Sequence, residues 1–160
     1  RLPGLAKRAG SEALTRIAIV CLCFPLVAEL GLFAELEEPV SNRLRADYVL
    51  RTECGQVCCV IEAKRCEMAQ FGELLQEGLL GCFSKYVPHF KCQGLMSSHE
   101  GQTQALYVVI TDGLRWICAD VYDSTVKLTP VLEVIDDRHT FMLLKFLVAR
   151  LGAAACRVMH

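Results

Sequence analysis

Closely spaced cysteine pairs are absent from this 160-residue sequence, although it contains ten cysteines. No C-x-x-C occurs, and His89, Cys92 and His99 are spaced more loosely than the ligands of structural zinc sites normally are. Most cysteines lie in apolar runs such as "IVCLCF", "VCCVI" and "WICAD", where cysteine behaves as a small hydrophobic residue. The pattern argues against a disulfide scaffold and predicts a reducing, intracellular setting, with a small zinc-binding structural domain as an alternative.

A strong charge of one sign is also absent. Seventeen Lys and Arg residues stand against eighteen Asp and Glu residues, which gives a formal net charge of −1, and the basic residues are scattered along the chain. The sequence therefore lacks the concentrated basic footprint of many nucleic-acid-binding domains.

Long hydrophobic runs are missing too. The apolar stretch "IAIVCLCFPLVA", residues 17–28, is shorter than the roughly 20 residues that a membrane-spanning helix requires. We predict a mostly buried first helix and no membrane association, with a cleaved signal peptide as the alternative. At 53% hydrophobic, residues 1–160 suit a single domain, and the start at Arg1 suggests a processed chain or a piece of a longer one.

The hydrophobic periodicity predicts an α/β domain with the order α-β-β-α-β-β-β-α. The first helix starts at or near Ser11, Pro25 kinks or ends it, a short second stretch reaches Leu36, and a loop runs through "EEPVSN". The runs "ADYVLR" and "QVCCVIEAK" flank the turn-like "TECG" and predict an antiparallel hairpin. A second helix and a loop over residues 88–103 follow.

The C-terminal third of the chain contains a second predicted hairpin, in which a "DG" turn joins "ALYVVIT" to "RWICADVY". One more strand is predicted in "KLTPVLEVI", broken or placed at an edge by Pro130. The last helix begins near Asp136 or Asp137 and is expected to end just before Gly152.

Three charged residues stand near the ends of the first hairpin's two apolar strands. Asp47 lies near the start of the first strand, and Glu62 and Lys64 lie at the end of the second. Side chains alternate along a strand, so Glu62 and Lys64 share one face. Antiparallel pairing sets the start of one strand opposite the end of the next. We therefore expect both carboxylates to meet with one ammonium group beside them.

Two carboxylates and a lysine suit phosphodiester hydrolysis. Mg²⁺ takes one or two carboxylates plus water and phosphate oxygens, and it can polarise a phosphate and lower the pKa of an attacking water. Lys64 would stabilise the hydroxide and the developing negative charge. In the structural alternative, Glu62 and Lys64 only compensate each other's charge, and Asp47 is a solvated strand starter.

The pattern D…E-x-K across two strands resembles the PD-(D/E)XK nuclease superfamily. "SEALTRIAI" is similar to the E-x-x-T-R helix that opens the nuclease domain of type I restriction enzyme R subunits. "RADYVL" and "VIEAKR" resemble the two strand motifs of that domain, and "YVVITDGLRW" resembles the hairpin that follows there and in Crinkler-type nuclease-like domains. The resemblance extends from about Ser11 to Val121 and implies a restriction-endonuclease-like core, a mixed central sheet flanked by helices.

The resemblance also implies site roles. Glu12 would be an outer acidic residue that helps to hold or orient metal-bound water. Asp47 and Glu62 would be metal ligands, with the Ala63 carbonyl as a third, and Lys64 would be the catalytic lysine. The implied cofactor is Mg²⁺ or Mn²⁺ and the implied partner is DNA, with RNA left open.

The sequence departs from the family pattern at several points. No proline precedes Asp47, and Leu44 replaces a glycine often found ahead of the R-x-D motif. No helicase motor, DNA-reading domain or basic arm is visible, so additional domains or subunits are expected to supply DNA binding. A catalytically inactive nuclease-fold binding or interaction module is the alternative function.

The helix after the lysine usually supplies a glutamine in this family, and the chain offers Gln70 and Gln76. The two are about 120° apart around a helix, so both cannot face one site. We predict that Gln70→Ala lowers cleavage about tenfold, which corresponds to about 1.4 kcal/mol of transition-state stabilisation, while Gln76→Ala changes it little. A side-by-side cleavage assay tests this, and the reverse ranking would assign the site to Gln76.

Overall fold

The computed structural model describes residues 12–64, 85–93, 105–122, 126–129 and 131–159. Its helices are α1 (Glu12–Glu29), α2 (residues 85–92) and α3 (Asp137–Met159). Its strands are β1 (Phe33–Ser41), β2 (Leu44–Arg51), β3 (Val57–Ala63), β4 (Leu106–Thr111), β5 (Arg115–Val121), β6 (Val126–Leu128) and β7 (Leu132–Glu133).

Seven strands of the described chain form one mixed sheet. Its order is β1-β2-β3-β4-β5-β6, and β7 also pairs with β5. Strands β3 and β4 are parallel, and the other pairs are antiparallel. Every residue of β3 and β4 is buried, as expected for a parallel pair that is covered on both faces.

Helices cover the two faces of the sheet. On one face, α1 and α3 pack through Ile19, Cys23, Leu143 and Leu147 against the strands. On the other face, Tyr86 and Phe90 of α2 join a second buried cluster. This arrangement confirms the predicted α/β class with a mixed central sheet flanked by helices.

Both predicted hairpins are present. Strands β2 and β3 pair antiparallel around residues 52–56, and β4 and β5 pair around the Asp112-Gly113 turn. Gly113 has a φ of 94°, a conformation that residues with a side chain rarely adopt, so glycine suits this turn, which lies against Thr15 of α1. The predicted broken strand is present as the short strands β6 and β7.

The prediction for residues 30–42 was wrong, because β1 occupies most of the segment expected to be helix and loop. Helix α1 ends in a Schellman motif at Gly31, whose φ is 66°, with Leu32 N–H donating to the Val27 carbonyl at 2.9 Å. Strand β1 is an exposed, acidic edge strand with Pro39 inside it, and such a strand lacks the alternating apolar pattern that reveals strands in a sequence.

Pro25 does not end the first helix, which continues to Glu29, and the predicted kink stays a prediction; Pro25 and Cys21 are both exposed, so water can satisfy the carbonyl that loses its donor. Two predicted boundaries fail. Residues 88–92 are helical rather than loop. Helix α3 continues past Gly152 to Met159, and Leu151 and Ala155 on either side of this glycine are buried in the core cluster.

Four described cysteines, Cys23, Cys58, Cys59 and Cys118, are buried in the cluster beneath α1 and α3. Burial raises the pKa of Cys23, Cys58 and Cys118 to about 12, so these thiols stay protonated and unreactive. Their environment supports the interpretation of cysteine as a core hydrophobic residue.

We predict that Cys59→Ser lowers the free energy of unfolding by about 1–3 kcal/mol, because a hydroxyl replaces a thiol in a fully buried apolar site. Cys21→Ser, at an exposed position of α1, is the matched control and should have little effect. Urea denaturation under reducing conditions measures both. Equal unfolding midpoints for the two variants would contradict the account of these cysteines.

Candidate active site

The parallel strands β3 and β4 end side by side at Ala63 and Thr111, and β2 runs antiparallel to β3 on its other side. The last paired residues of β2 and β3 are Tyr48 and Ile61, so the next residues, Asp47 and Glu62, are neighbours across the two strands. The Ala63 backbone N–H donates to Asp47 Oδ2 at 2.8 Å. The structure therefore brings both predicted carboxylates to one strand end.

Glu62 is the buried member of this pair, with only 4% of its surface exposed. The Tyr86 hydroxyl of α2 donates to its Oε1, and Lys64 Nζ lies 3.5 Å from its Oε2. Burial raises the pKa of Glu62 to about 7; the Tyr86 hydrogen bond and the Lys64 charge lower it, while the Asp47 charge raises it. A carboxyl group that titrates near neutrality at a strand end is typical of functional sites.

Lys64 combines a fixed backbone with an accessible side chain, 44% of which is exposed. Its N–H donates to the Thr111 carbonyl at 2.8 Å, and its carbonyl lies 2.9 Å from the Thr15 hydroxyl of α1. The same hydroxyl lies 3.0 Å from the Asp112 carbonyl. Thr15 thus joins α1 to the ends of both central strands and fixes the position from which the Lys64 side chain extends.

Asp47 is held from a second side by Arg16 of α1. Arg16 donates to Asp47 Oδ1 at 2.7 Å, and another nitrogen of the guanidinium lies 3.6 Å from Glu37 Oε1. The guanidinium carbon also lies 5.9 Å from the centre of the Tyr48 ring. Each Asp47 oxygen therefore accepts a hydrogen bond, one from Arg16 and one from Ala63.

The donor chemistry of this strand end fits a hard divalent cation, which accepts one or two carboxylates and completes its shell with carbonyl, water and phosphate oxygens. Asp47 and Glu62 are the two carboxylates. In the described parts of the chain, no three His, Cys, Asp or Glu side chains are grouped so that they could hold a metal ion.

The remaining predicted site residues are placed only in part. Glu12 is the first residue of α1, the helix that also carries Thr15 and Arg16. Ala63 contributes its N–H to the site, and the role of its carbonyl stays a prediction. Gln70 and Gln76, together with His99 of the zinc alternative, lie outside the described residues.

Three residues that contact the site were not singled out from the sequence. Thr15 and Arg16 lie in the "TR" of the quoted first-helix motif, which was the signal that could have identified them. Tyr86 lies 24 residues from Glu62, and no short pattern connects the two. Only the packing of α2 on the sheet reveals that its hydroxyl reaches the carboxyl group.

Comparison of the chain with protein-family models, with curated proteins and with solved structures finds no significant match. Of the helices in the described ranges, none has both the length and the apolar content needed to cross a membrane.

The raised pKa of Glu62 predicts how stability depends on pH. Between the ordinary value of 4.5 and the folded value of about 7, the folded state holds a proton that the unfolded state has lost, so stability falls as pH rises through this range. Glu62→Gln removes the titration and keeps an acceptor for Tyr86. Its stability relative to wild type should increase by up to about 3 kcal/mol between about pH 5 and pH 8.

Urea denaturation of both proteins across this pH range, with chelator present, measures the difference. Parallel pH profiles for wild type and Glu62→Gln would show that Glu62 titrates at its ordinary value and that the site is not buried as described.

Proposed function

We propose that this chain is a nuclease domain of the PD-(D/E)XK type that hydrolyses phosphodiester bonds of DNA with Mg²⁺ or Mn²⁺. The observation that carries the proposal is the position of Asp47, Glu62 and Lys64 at one end of the central strands. Glu62 is a buried carboxyl group whose charged form is costly unless it is paired, and together with Asp47 and Lys64 it has the composition of a D…E-x-K site. The mixed sheet with helices on both faces is compatible with a restriction-endonuclease-like core.

Each residue has a role in this proposal. Asp47 and Glu62 would hold the cation, whose chemistry when bound is to polarise the phosphate and lower the pKa of a water molecule. The Lys64 ammonium would stabilise the developing negative charge. The Lys64 backbone is fixed by its hydrogen bond to Thr111, while its half-exposed side chain extends toward solvent. Tyr86 would orient the Glu62 carboxylate through its hydrogen bond.

Tight binding of a DNA substrate is expected to require more than this domain. The formal net charge of −1 gives little general attraction to a polyanion. Further domains or subunits would then supply most of the DNA affinity, and RNA stays an alternative substrate. The domain alone is therefore expected to bind DNA, and to cleave it, only weakly.

We predict that Lys64→Ala and Asp47→Asn each lower cleavage about 100-fold or more, because each removes a charge that stabilises the transition state or holds the cation. Lys145→Ala, at an exposed position of α3, is the matched lysine control and should cleave like wild type. Supercoiled plasmid, linear duplex, single-stranded DNA and RNA are incubated with Mg²⁺ or Mn²⁺, and with chelator. Equal cleavage by Lys64→Ala and the control would remove Lys64 from the catalytic assignment.

The second candidate function is a binding or interaction module that keeps the fold without catalysis. The Arg16 contact favours it, because a cation at Asp47 would have to compete with a guanidinium that lies 2.7 Å away. Under this alternative the folded protein cleaves none of the four substrates. Its melting temperature also does not change with divalent cations, since no bound ion stabilises the folded state.

A further inference from the structure

The guanidinium of Arg16 occupies one side of the carboxylate that the proposed site assigns to a metal ion. Its distance of 2.7 Å from Asp47 Oδ1 is that of a charge-assisted hydrogen bond. The pair is shielded from solvent, with 15% of the Asp47 side chain and 30% of the Arg16 side chain exposed. Arg16 therefore neutralises Asp47 at a position where screening by water and salt is reduced.

A second acceptor for Arg16, Glu37, lies on the neighbouring strand β1. Strand β1 pairs Leu36 with Tyr48 and Glu38 with Ala46, which places Glu37 opposite Asp47. Glu37 is the residue of the described chain with a positive φ that is not glycine, at 52°, in the middle of an otherwise extended strand. Its Oε1 is 3.6 Å from Arg16 Nη1, and 58% of its side chain is exposed.

Glu37, Asp47 and Glu62 thus occupy facing register positions on β1, β2 and β3; Arg16 contacts the first two, and Lys64 lies beside the third. Asp47 is also held by the Ala63 N–H, so its position does not depend on Arg16 alone. A movement of the guanidinium toward Glu37 would leave Asp47 in place without the Arg16 charge beside Oδ1. A carboxylate attracts a divalent cation more strongly when a neighbouring positive charge moves away.

We propose that Arg16 is a positioning residue that sets the affinity of Asp47 for a divalent cation, because its guanidinium competes with the cation for Asp47 and transfers to Glu37 when the cation binds. The inference rests on the proposed metal site, but it concerns cation binding and not cleavage. It predicts opposite effects for Arg16 and Glu37: loss of Arg16 strengthens cation binding, and loss of the Glu37 charge weakens it.

The test measures Mn²⁺ binding in the absence of nucleic acid, by the electron paramagnetic resonance signal of free Mn²⁺. Arg16→Gln should bind Mn²⁺ about tenfold more tightly than wild type, and Glu37→Gln about threefold more weakly. Arg43→Gln removes the same charge from the exposed β1–β2 turn and should change the affinity less than about twofold.

A double variant separates transfer of Arg16 from general electrostatics. If Glu37 acts by accepting Arg16, the effect of Glu37→Gln disappears in the Arg16→Gln background, whereas a general effect of its charge persists there. If circular dichroism shows that Arg16→Gln does not fold, Arg16→Lys takes its place. A lysine cannot reproduce the planar guanidinium contact, so this variant should bind Mn²⁺ about threefold more tightly than wild type.

The proposal is overturned by equal or weaker binding in the Arg16 variants, by a Glu37→Gln effect that persists without Arg16, or by no Mn²⁺ binding in any variant. If the predicted affinities are found without cleavage of any substrate, the nuclease function fails and the role of Arg16 stands.

Discussion

The hydrogen bond from the Ala63 N–H to Asp47 Oδ2 is the contact on which the candidate site depends. It forms just beyond the last backbone pair of β2 and β3. A side-chain hydrogen bond therefore continues the contact between the two strands and fixes the position of the Asp47 carboxylate. Because β3 is buried along its whole length, this point lies at the boundary between an apolar interior and solvent. Glu62 lies on the inner side of the boundary and the Lys64 side chain extends to the outer side.

The same boundary explains the electrostatics of the site. Burial acts most strongly on Glu62 and raises its pKa to about 7, whereas the exposed part of Lys64 stays in contact with water. Asp47 lies between them and is compensated by Arg16. One strand end therefore presents three ionisable side chains that differ in their exposure to solvent.

The parts of the fold that depend on local chemistry could be predicted from the sequence. The Asp112-Gly113 turn and the apolar strands beside it gave the second hairpin, and the turn at Gly55, with a φ of 83°, supports the first. Strand β1 could not be found in this way, because Glu35, Glu37 and Pro39 belong to an edge where burial does not select apolar residues. Likewise, the length of α3 depends on tertiary packing that overrides the local stop signal at Gly152.

The candidate site likewise combines residues that the sequence predicts with contacts that it does not. Asp47, Glu62 and Lys64 could be brought together from strand alternation and hairpin geometry alone. The contacts that decide their properties come from other elements: Arg16 is 31 residues from Asp47, and Tyr86 is 24 residues from Glu62. The choice between a nuclease and an inert module depends on the first of these contacts, because Arg16 would compete with a cation for Asp47.

The most direct measurement is a crystal structure of the domain with Mn²⁺, located by its anomalous scattering. The account predicts a peak between Asp47 and Glu62 at about 2.0–2.3 Å from their oxygens, as expected for a small hard cation, with the Arg16 guanidinium moved toward Glu37. A map at saturating Mn²⁺ that shows no peak at this position, with Arg16 still bonded to Asp47, would contradict it.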